Sequence, residues 1–154
     1  MSYEVRRAET ETERADALSV RFEVFVDEQG VPEDVEIDGK DDESIHFVGY
    51  AEGERGEGTD ADRAPVGVGR LREVGDRTGK VERIAVLEEH RGEGVGRTII
   101  DEIESTAAEQ GLSTLVMHAQ TPVEQFYRDL GYETTSDVFE EAGIPHVEME
   151  KSLD

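Results

Sequence analysis

The chain has 154 residues, with 39 acidic against 16 basic side chains, a formal net charge of −23 and no cysteine. Its length suits a single domain over residues 1–154 with an ordinary core, and the lack of cysteine excludes disulfides, thiolate catalysis and sulfur-ligated metal. The chain has no Lys/Arg cluster to neutralise phosphates, no apolar run as long as a membrane span and no signal-peptide core, so we expect a cytoplasmic protein that binds neither nucleic acid nor membrane.

The first half of the chain predicts three strands and one helix. The strands are short apolar runs, and the helix has an apolar stripe. In chain order the predicted elements are strand 3–8, a helix that Thr10 or Thr12 caps and that Gly30 and Pro32 end, an acidic loop at 33–44, strand 45–51, a solvated hairpin loop at 52–64 and strand 65–74.

A strand, a glycine-rich turn and a helix follow one another between residues 81 and 110. Residues 81–87 form an apolar, β-branched run interrupted by Glu82 and Arg83, and Ile99 and Ile103 recur every fourth residue after the glycines. A strand that leads through glycines into a helix N-terminus is an anion site, because the glycines let the backbone approach a ligand and the first helical N–H groups point at it. We therefore expect a ligand that carries phosphate.

The last third of the chain predicts strand 112–119, a helix over 123–130 with Pro122 in its first turn, and a final strand pair at 132–139 and 144–149. No internal repeat or interdomain linker is evident. The resulting order, βα-βββ-αβα-ββ, suits a mixed α/β sheet with helices on both faces.

The acidic residues are spread along the chain among periodic apolar residues, so they do not form a disordered tail. So much like charge destabilises a compact state by self-repulsion unless salt screens it. We therefore expect a protein from an extreme halophile with a salt-loaded cytoplasm. An acidic protein from a mesophile is the alternative.

Two metal patterns are incomplete. The stretch Asp34-Val-Glu36-Ile-Asp38-Gly39 resembles the start of an EF-hand loop, but its twelfth position is Ile45 rather than Glu and no helix pair flanks it. The four histidines have no ligand-like spacing. We expect no bound metal.

The glycine turn fits neither of two familiar nucleotide motifs. A dinucleotide fingerprint needs a third glycine where Arg97 stands, and a Walker loop needs Gly-Lys-Ser/Thr. The pattern that is present, Arg91-x-x-Gly94-x-Gly96 directly after a strand, resembles the signature segment of the GNAT acyltransferase superfamily, which binds the pyrophosphate of acetyl-CoA. A glycine-rich connection without a ligand is the alternative.

A second segment, from Gln120 through Phe126-Tyr127 to Gly131-Tyr132, resembles the one that follows the fifth strand in GNAT enzymes. The usual pattern there is Asn-x-x-Ala-x-x-Phe-Tyr-x-x-x-Gly-Phe, so Gln120 replaces the Asn. The two motifs are separated by one helix and one strand, as in the family. The resemblance covers 66–139 and implies an α/β GNAT fold, with a central mixed, mostly antiparallel sheet of about six to seven strands and helices on both faces.

Two further segments, 21–29 and 144–149, resemble the ElaA-like GNAT proteins. The first of them is also similar to acyl-homoserine lactone synthases, which share the fold. A longer acyl chain in place of acetyl is therefore kept as an alternative. A CoA-binding sensor that has lost turnover is a separate, non-enzyme alternative. The acceptor that the resemblance implies is a primary amine on a small molecule or a protein, and a homodimer is one assembly left open.

The resemblance implies acetyl-CoA as co-substrate. The backbone of the fourth strand would pair with the pantetheine amides, and N–H groups of the glycine turn would hold the pyrophosphate, since backbone donors do not crowd a diphosphate. Arg91 and Arg97 would offset its charge, or are simple surface charges. The expected cofactor-binding residues are Ile84, Ala85, Val86, Arg91, Gly92, Glu93, Gly94, Val95, Gly96, Arg97, Gln120 and Phe126.

The chemistry requires an amine to lose a proton as it attacks the thioester, and the departing thiolate to gain one. Tyr127 resembles the tyrosine that GNAT enzymes place near the CoA sulfur as general acid; a core aromatic is its alternative role. Glu82 lies where several of them carry a base; an exposed or salt-bridged strand acid is the alternative. We expect His118 to pack or hydrogen-bond within its strand. Without cysteine, direct transfer in a ternary complex is favoured.

The acceptor site has six candidate residues, because the first helix and the neighbouring strands wall that side in the family. They are Arg21, Phe25, Glu28, Gln29, His46 and Arg70.

Overall fold

A computed structural model describes residues 3–51 and 64–153 of the chain. Its strands are β1 (Tyr3–Arg7), β2 (Ile45–Ala51), β3 (Ala64–Gly75), β4 (Thr78–Val86), β5 (Thr114–Gln120), β6 (Glu133–Thr134), β7 (Phe139–Glu141) and β8 (Ile144–Ser152). Its α-helices are α1 (Glu11–Arg21), α2 (Glu33–Glu36), α3 (Val95–Glu109) and α4 (Glu124–Asp129).

The strands follow the order β1-β2-β3-β4-β5-β8-β6, and β7 pairs with β8. β4 and β5 are parallel, whereas β5, β6 and β7 are each antiparallel to β8, as β1 is to β2. The predicted mixed, mostly antiparallel α/β sheet is therefore confirmed. Among the described residues the sheet has eight strands, more than predicted, because the segment after Gly131 contains three strands rather than two.

The first helix is confirmed and its cap is Thr10. The Thr10 side chain accepts a hydrogen bond from the Glu13 N–H, and Glu13 accepts one from the Thr10 N–H, each at 3.1 Å, which is a capping box. From Phe22 to Glu28 the helix continues as a π-helix. The acidic loop contains α2 and a 3₁₀ turn, Asp41–Glu43. The hairpin loop predicted for 52–64 lies outside the described residues, except for Ala64.

Contacts divide the chain into two compact units, and one domain over 1–154 stays a prediction. The first unit is Met1–Arg70 with Arg83–Ile103. In its core Ile99, Ile100 and Ile103 of α3 are fully buried. A Cβ added at Gly69 of β3 would lie 2.8 Å from the Ile99 side chain, so glycine is what lets α3 pack so closely on this strand. The core residues that pack around α1 and the π-helix are Ala8, Ala17, Val20, Val24, Val48, Tyr50, Val68 and Ala85.

The second unit is Leu71–Glu82 with Glu104–Asp154. Its central strand is β5, which pairs with β4 over Thr78–Val81 and with β8 along its whole length. Along β5 the buried residues Leu115, Met117 and Ala119 alternate with half-buried ones. Since strand side chains alternate between faces, His118 and Gln120 share the less buried face.

Candidate active site

The predicted strand, glycine turn and helix are present, and the glycine turn lies in the first unit. β4 ends at Val86, a 3₁₀ turn follows over Glu88–His90, and α3 begins at Val95. Gly92 and Gly94 have φ values of 81° and 87°, which favour glycine, and a Cβ on either would meet no atom within 4 Å. The loop is therefore shaped by its glycines and leaves open space beside its backbone.

The N-terminus of α3 directs backbone donors out of the helix. Its first intrahelical bond runs from the Thr98 N–H to the Gly94 carbonyl at 3.1 Å. The preceding N–H groups, of residues 95–97, have no carbonyl one turn earlier to donate to. They also carry the positive end of the helix dipole, so this end of α3 suits an anion.

All three side-chain nitrogens of Arg91 donate hydrogen bonds within the protein. Its Nη1 and Nη2 groups donate to the two Glu28 carboxylate oxygens at 2.9 and 2.8 Å, and its Nε group donates to the Val86 carbonyl at 2.8 Å. The hydrogen bond from Arg91 lowers the pKa of Glu28. Glu28, predicted for the acceptor site, thus contacts the glycine turn, while Arg97 is exposed.

β4 has an unusual backbone conformation at Arg83. Arg83 adopts φ 58°, the left-handed region, although it has a side chain. The parallel pairing of β4 with β5 covers Thr78–Val81, and β4 then continues to Val86. The only sign of this feature in the sequence is the charged pair Glu82-Arg83 inside an apolar run.

Three of the six acceptor candidates meet in a buried ionic cluster in the first unit. Arg21 donates from Nε to Glu36 at 2.7 Å and from Nη1 to Asp41 at 2.8 Å, and its side chain is 2% exposed. The His46 Nε2 atom lies 2.9 Å from the Asp41 carbonyl oxygen. We name this group the Asp41 cluster; its members are Arg21, Glu36, Asp38, Asp41, His46, Arg70 and Arg83.

Arg70 and Arg83 complete the Asp41 cluster. Arg70 is fully buried and donates to Asp38 at 2.8 and 3.0 Å and to Asp41 at 2.9 Å. Arg83 lies 3.0 Å from the Glu36 carboxylate and 3.3 Å from that of Asp38. Three arginines are thus matched by three carboxylates. They attach the acidic segment 33–44 to α1, β3 and β4.

The arginines hold the carboxylates of the cluster in the charged form. Burial alone would raise the pKa of Asp38, but hydrogen bonds from Arg70 and from the Lys40 N–H, with the charges of Arg70 and Arg83, lower it well below its usual range. Burial also acts to raise the pKa of Asp41. The charges and hydrogen bonds of Arg21 and Arg70 outweigh this effect, so the pKa of Asp41 is lowered.

The other acceptor candidates lie elsewhere in the first unit. Phe25 packs against the core beside α1, Glu28 pairs with Arg91, and the Gln29 N–H ends the π-helix by donating to the Val24 carbonyl at 3.0 Å. Sequence reasoning missed the roles of Glu36, Asp38 and Asp41. The available signal was three arginines placed on apolar elements, since buried cations require partners.

Tyr127 lies in α4 in the second unit and is 6% exposed. Its ring makes edge contacts with Phe126 and Tyr132, with centroids 5.0 and 6.0 Å apart. Among residues 3–51 and 64–153 its phenol oxygen has no hydrogen-bond partner. Burial raises the pKa of Tyr127 well above its usual value, so the phenol keeps its proton at neutral pH. Phe126 is 38% exposed.

Glu82 is a salt-bridged strand residue. Its carboxylate accepts hydrogen bonds from Arg72 at 3.0 and 3.4 Å and lies 3.7 Å from the Lys80 ammonium group. The side chain is 8% exposed. The alternative role of Glu82, a salt-bridged strand acid, describes this geometry, with Arg72 as the hydrogen-bonded partner.

His118 hydrogen-bonds beyond its own strand. Its Nδ1 atom lies 2.9 Å from a carboxylate oxygen of Glu141 in β7, and its Nε2 atom lies 3.7 Å from Glu148 in β8. The ring packs edge-on against Phe139 at 5.0 Å between centroids. No pattern in the sequence indicated these partners.

Among residues 3–51 and 64–153, no three His or acidic side chains are arranged to hold a metal ion. Nor does any helix there have the length and apolar character needed to cross a membrane.

Comparison with known proteins identifies the family. The model of the acetyltransferase (GNAT) domain matches residues 23–153. The Bacillus subtilis protein YjcF, described as an uncharacterized N-acetyltransferase, is 45% identical over 145 residues, covering 94% of this chain and 96% of YjcF. Escherichia coli ElaA is 29% identical over 143 residues, covering 88% of this chain and 85% of ElaA.

Solved structures agree with the sequence matches. The crystal structure of E. coli ElaA superposes with a TM-score of 0.78 at 25% identity, covering 97% of this chain and 98% of that one. An aminoglycoside 6'-N-acetyltransferase, solved in complex with coenzyme A, shares the fold with a TM-score of 0.72 at 14% identity, covering 100% and 98% of the two chains. The chain therefore belongs to the GNAT family of acetyltransferases, with ElaA among its relatives, and is an acyltransferase of the EC 2.3.1 type.

Proposed function

We propose that the protein transfers an acetyl group from acetyl-CoA to a primary amine of a small molecule or a protein, by direct attack in a ternary complex. The observation that carries this proposal is the glycine turn between β4 and α3. Its two left-handed glycines and the N–H groups at the start of α3 form a site of backbone donors that suits a diphosphate.

The residues that would hold acetyl-CoA form two groups. In the first unit, N–H groups of 91–97 would bind the diphosphate, and the backbone of 84–86 would pair with the pantetheine arm. The end of the β4–β5 register at Val81 supports this assignment, because β4 extends five residues further. In the second unit, Gln120 and Phe126 complete the proposed set. Glu28 and Val86 engage the Arg91 side chain, so Arg91 would contribute through its N–H, which would have to turn to the diphosphate from the Glu88 carbonyl that it contacts at 3.3 Å.

Tyr127 is the proposed general acid. A buried phenol that keeps its proton and has no hydrogen-bond partner among the described residues can donate to a thiolate leaving the thioester. Tyr127→Phe preserves the ring packing, so we expect an unchanged Tm and a fall in kcat on the order of 10²-fold or more. An unchanged kcat would leave Tyr127 as a core aromatic only.

Glu82 is the base that the family resemblance proposes. To accept a proton, its carboxylate would have to give up its ion pairs with Arg72 and Lys80. An unchanged pH–rate profile in Glu82→Gln would count against the base role. Because Glu82 is held in these ion pairs, a different group could accept the proton of the amine.

The acceptor remains a proposal based on the six candidate residues. Arg21 and His46 lie on the wall of an open cleft of about 460 Å³ beside α1, together with Arg14, Asp41 and Ser44. Hydrogen bonds within the Asp41 cluster already engage the polar groups of Arg21, His46 and Arg70. In this proposal these residues therefore hold the acidic segment 33–44 in place around the acceptor.

Two measurements test the proposed function. Calorimetry with acetyl-CoA and octanoyl-CoA should give tighter binding of acetyl-CoA; the reverse would favour a longer acyl chain. Thiol release from acetyl-CoA with a panel of amines should then show amine-dependent turnover. Failure to bind any CoA ester would refute the proposal, whereas binding without turnover of any amine would point to a sensor.

We further propose that the protein works in a cytoplasm of high salt, as an extreme halophile would provide. Its formal net charge of −23 supports this, because self-repulsion of that size is relieved when salt shortens the Debye length. The assays above therefore belong in molar KCl.

A further inference from the structure

We infer that His118, oriented by Glu141, is the group that takes the proton from the acceptor amine. This inference rests on the proposed transfer from acetyl-CoA and names the base for it. It starts from a pair that lies wholly in the second unit, in which the imidazole of β5 hydrogen-bonds to a carboxylate of β7.

The contacts of the ring determine which nitrogen can act. Nδ1 lies 2.9 Å from the Glu141 carboxylate, an acceptor, so Nδ1 carries the hydrogen and Nε2 is left as the basic nitrogen. Nε2 lies 3.7 Å from Glu148, beyond hydrogen-bond distance. An imidazole held by a carboxylate at one nitrogen, with the other nitrogen available, is the arrangement of a general base.

The strand register places His118 beside the end of the β4–β5 pairing. Val81 of β4 is opposite Met117 of β5, and both are buried on the same face. The next residues, Glu82 and His118, therefore emerge on the opposite face. Glu82, the base proposed from the sequence, and His118 thus lie on one face of the sheet, directly after the last residue pair of β4 and β5.

Of these two groups, His118 is better suited to accept a proton. Its side chain is 26% exposed, against 8% for Glu82, whose carboxylate is bound by two cations. The charged groups that contact His118 are Glu141 on β7 and Glu148 on β8, and His146 of β8 lies 3.8 Å from Glu141. By the strand register, Lys80 and Glu82 of β4 are the charged residues on the same face of the neighbouring strand. The two nearest carboxylates stabilise an imidazolium ion and attract a cationic amine.

The step balances without a further reactant. Nε2 takes one proton from the R–NH3⁺ group, and the freed lone pair forms the C–N bond at the thioester carbonyl carbon. The C–S bond breaks, and the proton remaining in excess on nitrogen passes to the sulfur by way of the Tyr127 phenol. The products are the amide, the CoA thiol and imidazolium, which releases its proton to water.

The test is the pH dependence of kcat/KM for the amine, measured in molar KCl with saturating acetyl-CoA. The unaltered enzyme should show an ascending limb, because only the unprotonated Nε2 can take the proton of the amine. His118→Gln should lower kcat/KM at pH 7.5 on the order of 10²- to 10⁴-fold and abolish that limb. Glu141→Gln should lower it about 10- to 100-fold.

Three controls separate a base from a structural residue. Glu140→Gln removes the same charge from the exposed neighbour of Glu141 and should change nothing. His118→Ala should be rescued by added imidazole, which a purely structural loss would not allow. His118→Gln should retain its affinity for acetyl-CoA by calorimetry, which shows that the fold and the CoA site are intact.

Two outcomes would overturn the inference. One is an ascending limb of the kcat/KM pH profile that persists in His118→Gln and disappears in Glu82→Gln, which would make Glu82 the base. The other is a loss in His118→Ala that imidazole does not restore. Failure of the proposed function would look different, because the unaltered enzyme would then bind no acetyl-CoA or acetylate no amine.

Discussion

Replacing Arg70 by Met should destabilise the protein by about 3 kcal/mol. Breaking a buried ion pair by removing one partner costs about 3–5 kcal/mol. The lower end applies here, because Asp38 and Asp41 are 21% and 31% exposed and keep contacts with Arg83 and Arg21. Met fills much of the volume of the lost side chain, so the loss comes chiefly from carboxylates left with fewer partners. For a chain of this size, 3 kcal/mol lowers Tm by roughly 6–12 °C.

Urea unfolding in molar KCl measures this loss, and the denaturant slope should not change. A buried pair is screened less than an exposed one, so most of the loss should persist at high salt. In the double variant Arg70→Met/Asp38→Asn an under-compensated charge is also removed, and about 1 kcal/mol or more should be recovered. A loss below 1 kcal/mol, or one that vanishes in molar KCl, would refute a stabilising role for the Asp41 cluster.

Three further predictions concern charge. Glu28→Gln should raise the KM for acetyl-CoA up to about fivefold, because the Arg91 contact to the Val86 carbonyl loosens; Asp27→Asn is the matched control, and an equal rise there would contradict the reasoning. The lowered pKa values of Asp38 and Asp41 give stability that is present above about pH 4, where unfolded Asp titrates, and is lost as the pH falls through the folded pKa; acid titration of the unfolding free energy should show this loss, and Arg70→Met should reduce it. Raising KCl from about 0.1 to 1 M should raise Tm by several degrees, as the Debye length falls from about 10 to 3 Å; a constant or lower Tm in a thermal scan would contradict the proposed high-salt setting.

The order of helices and strands was predictable because it depends on local pattern. Apolar periodicity located α1 and α3, and glycines marked the turn before α3. The two short motifs around Gly94 and Tyr127 then identified the family. These signals need no knowledge of what lies across the sheet.

The Asp41 cluster and the His118 pair were not predictable, because their partners lie far apart in the chain. Arg83 contacts Asp38 over a separation of 45 residues, and His118 contacts Glu141 over 23. A local pattern shows such residues only as charges on a loop or on a strand. The left-handed backbone of Arg83 was missed for another reason, since no glycine marks it.

The π-helix at Phe22–Glu28 makes the length of this segment as important as its side chains. Its Gln29 N–H donates to the carbonyl five residues earlier, Val24, so one residue more is accommodated than in an α-helical turn. Deleting a single residue here would restore α-helical spacing and rotate Glu28 by about 100° around the axis. The Glu28 carboxylate would then no longer reach Arg91, although neither side chain had been altered. The number of residues in this helical turn therefore determines whether Glu28 contacts the glycine turn.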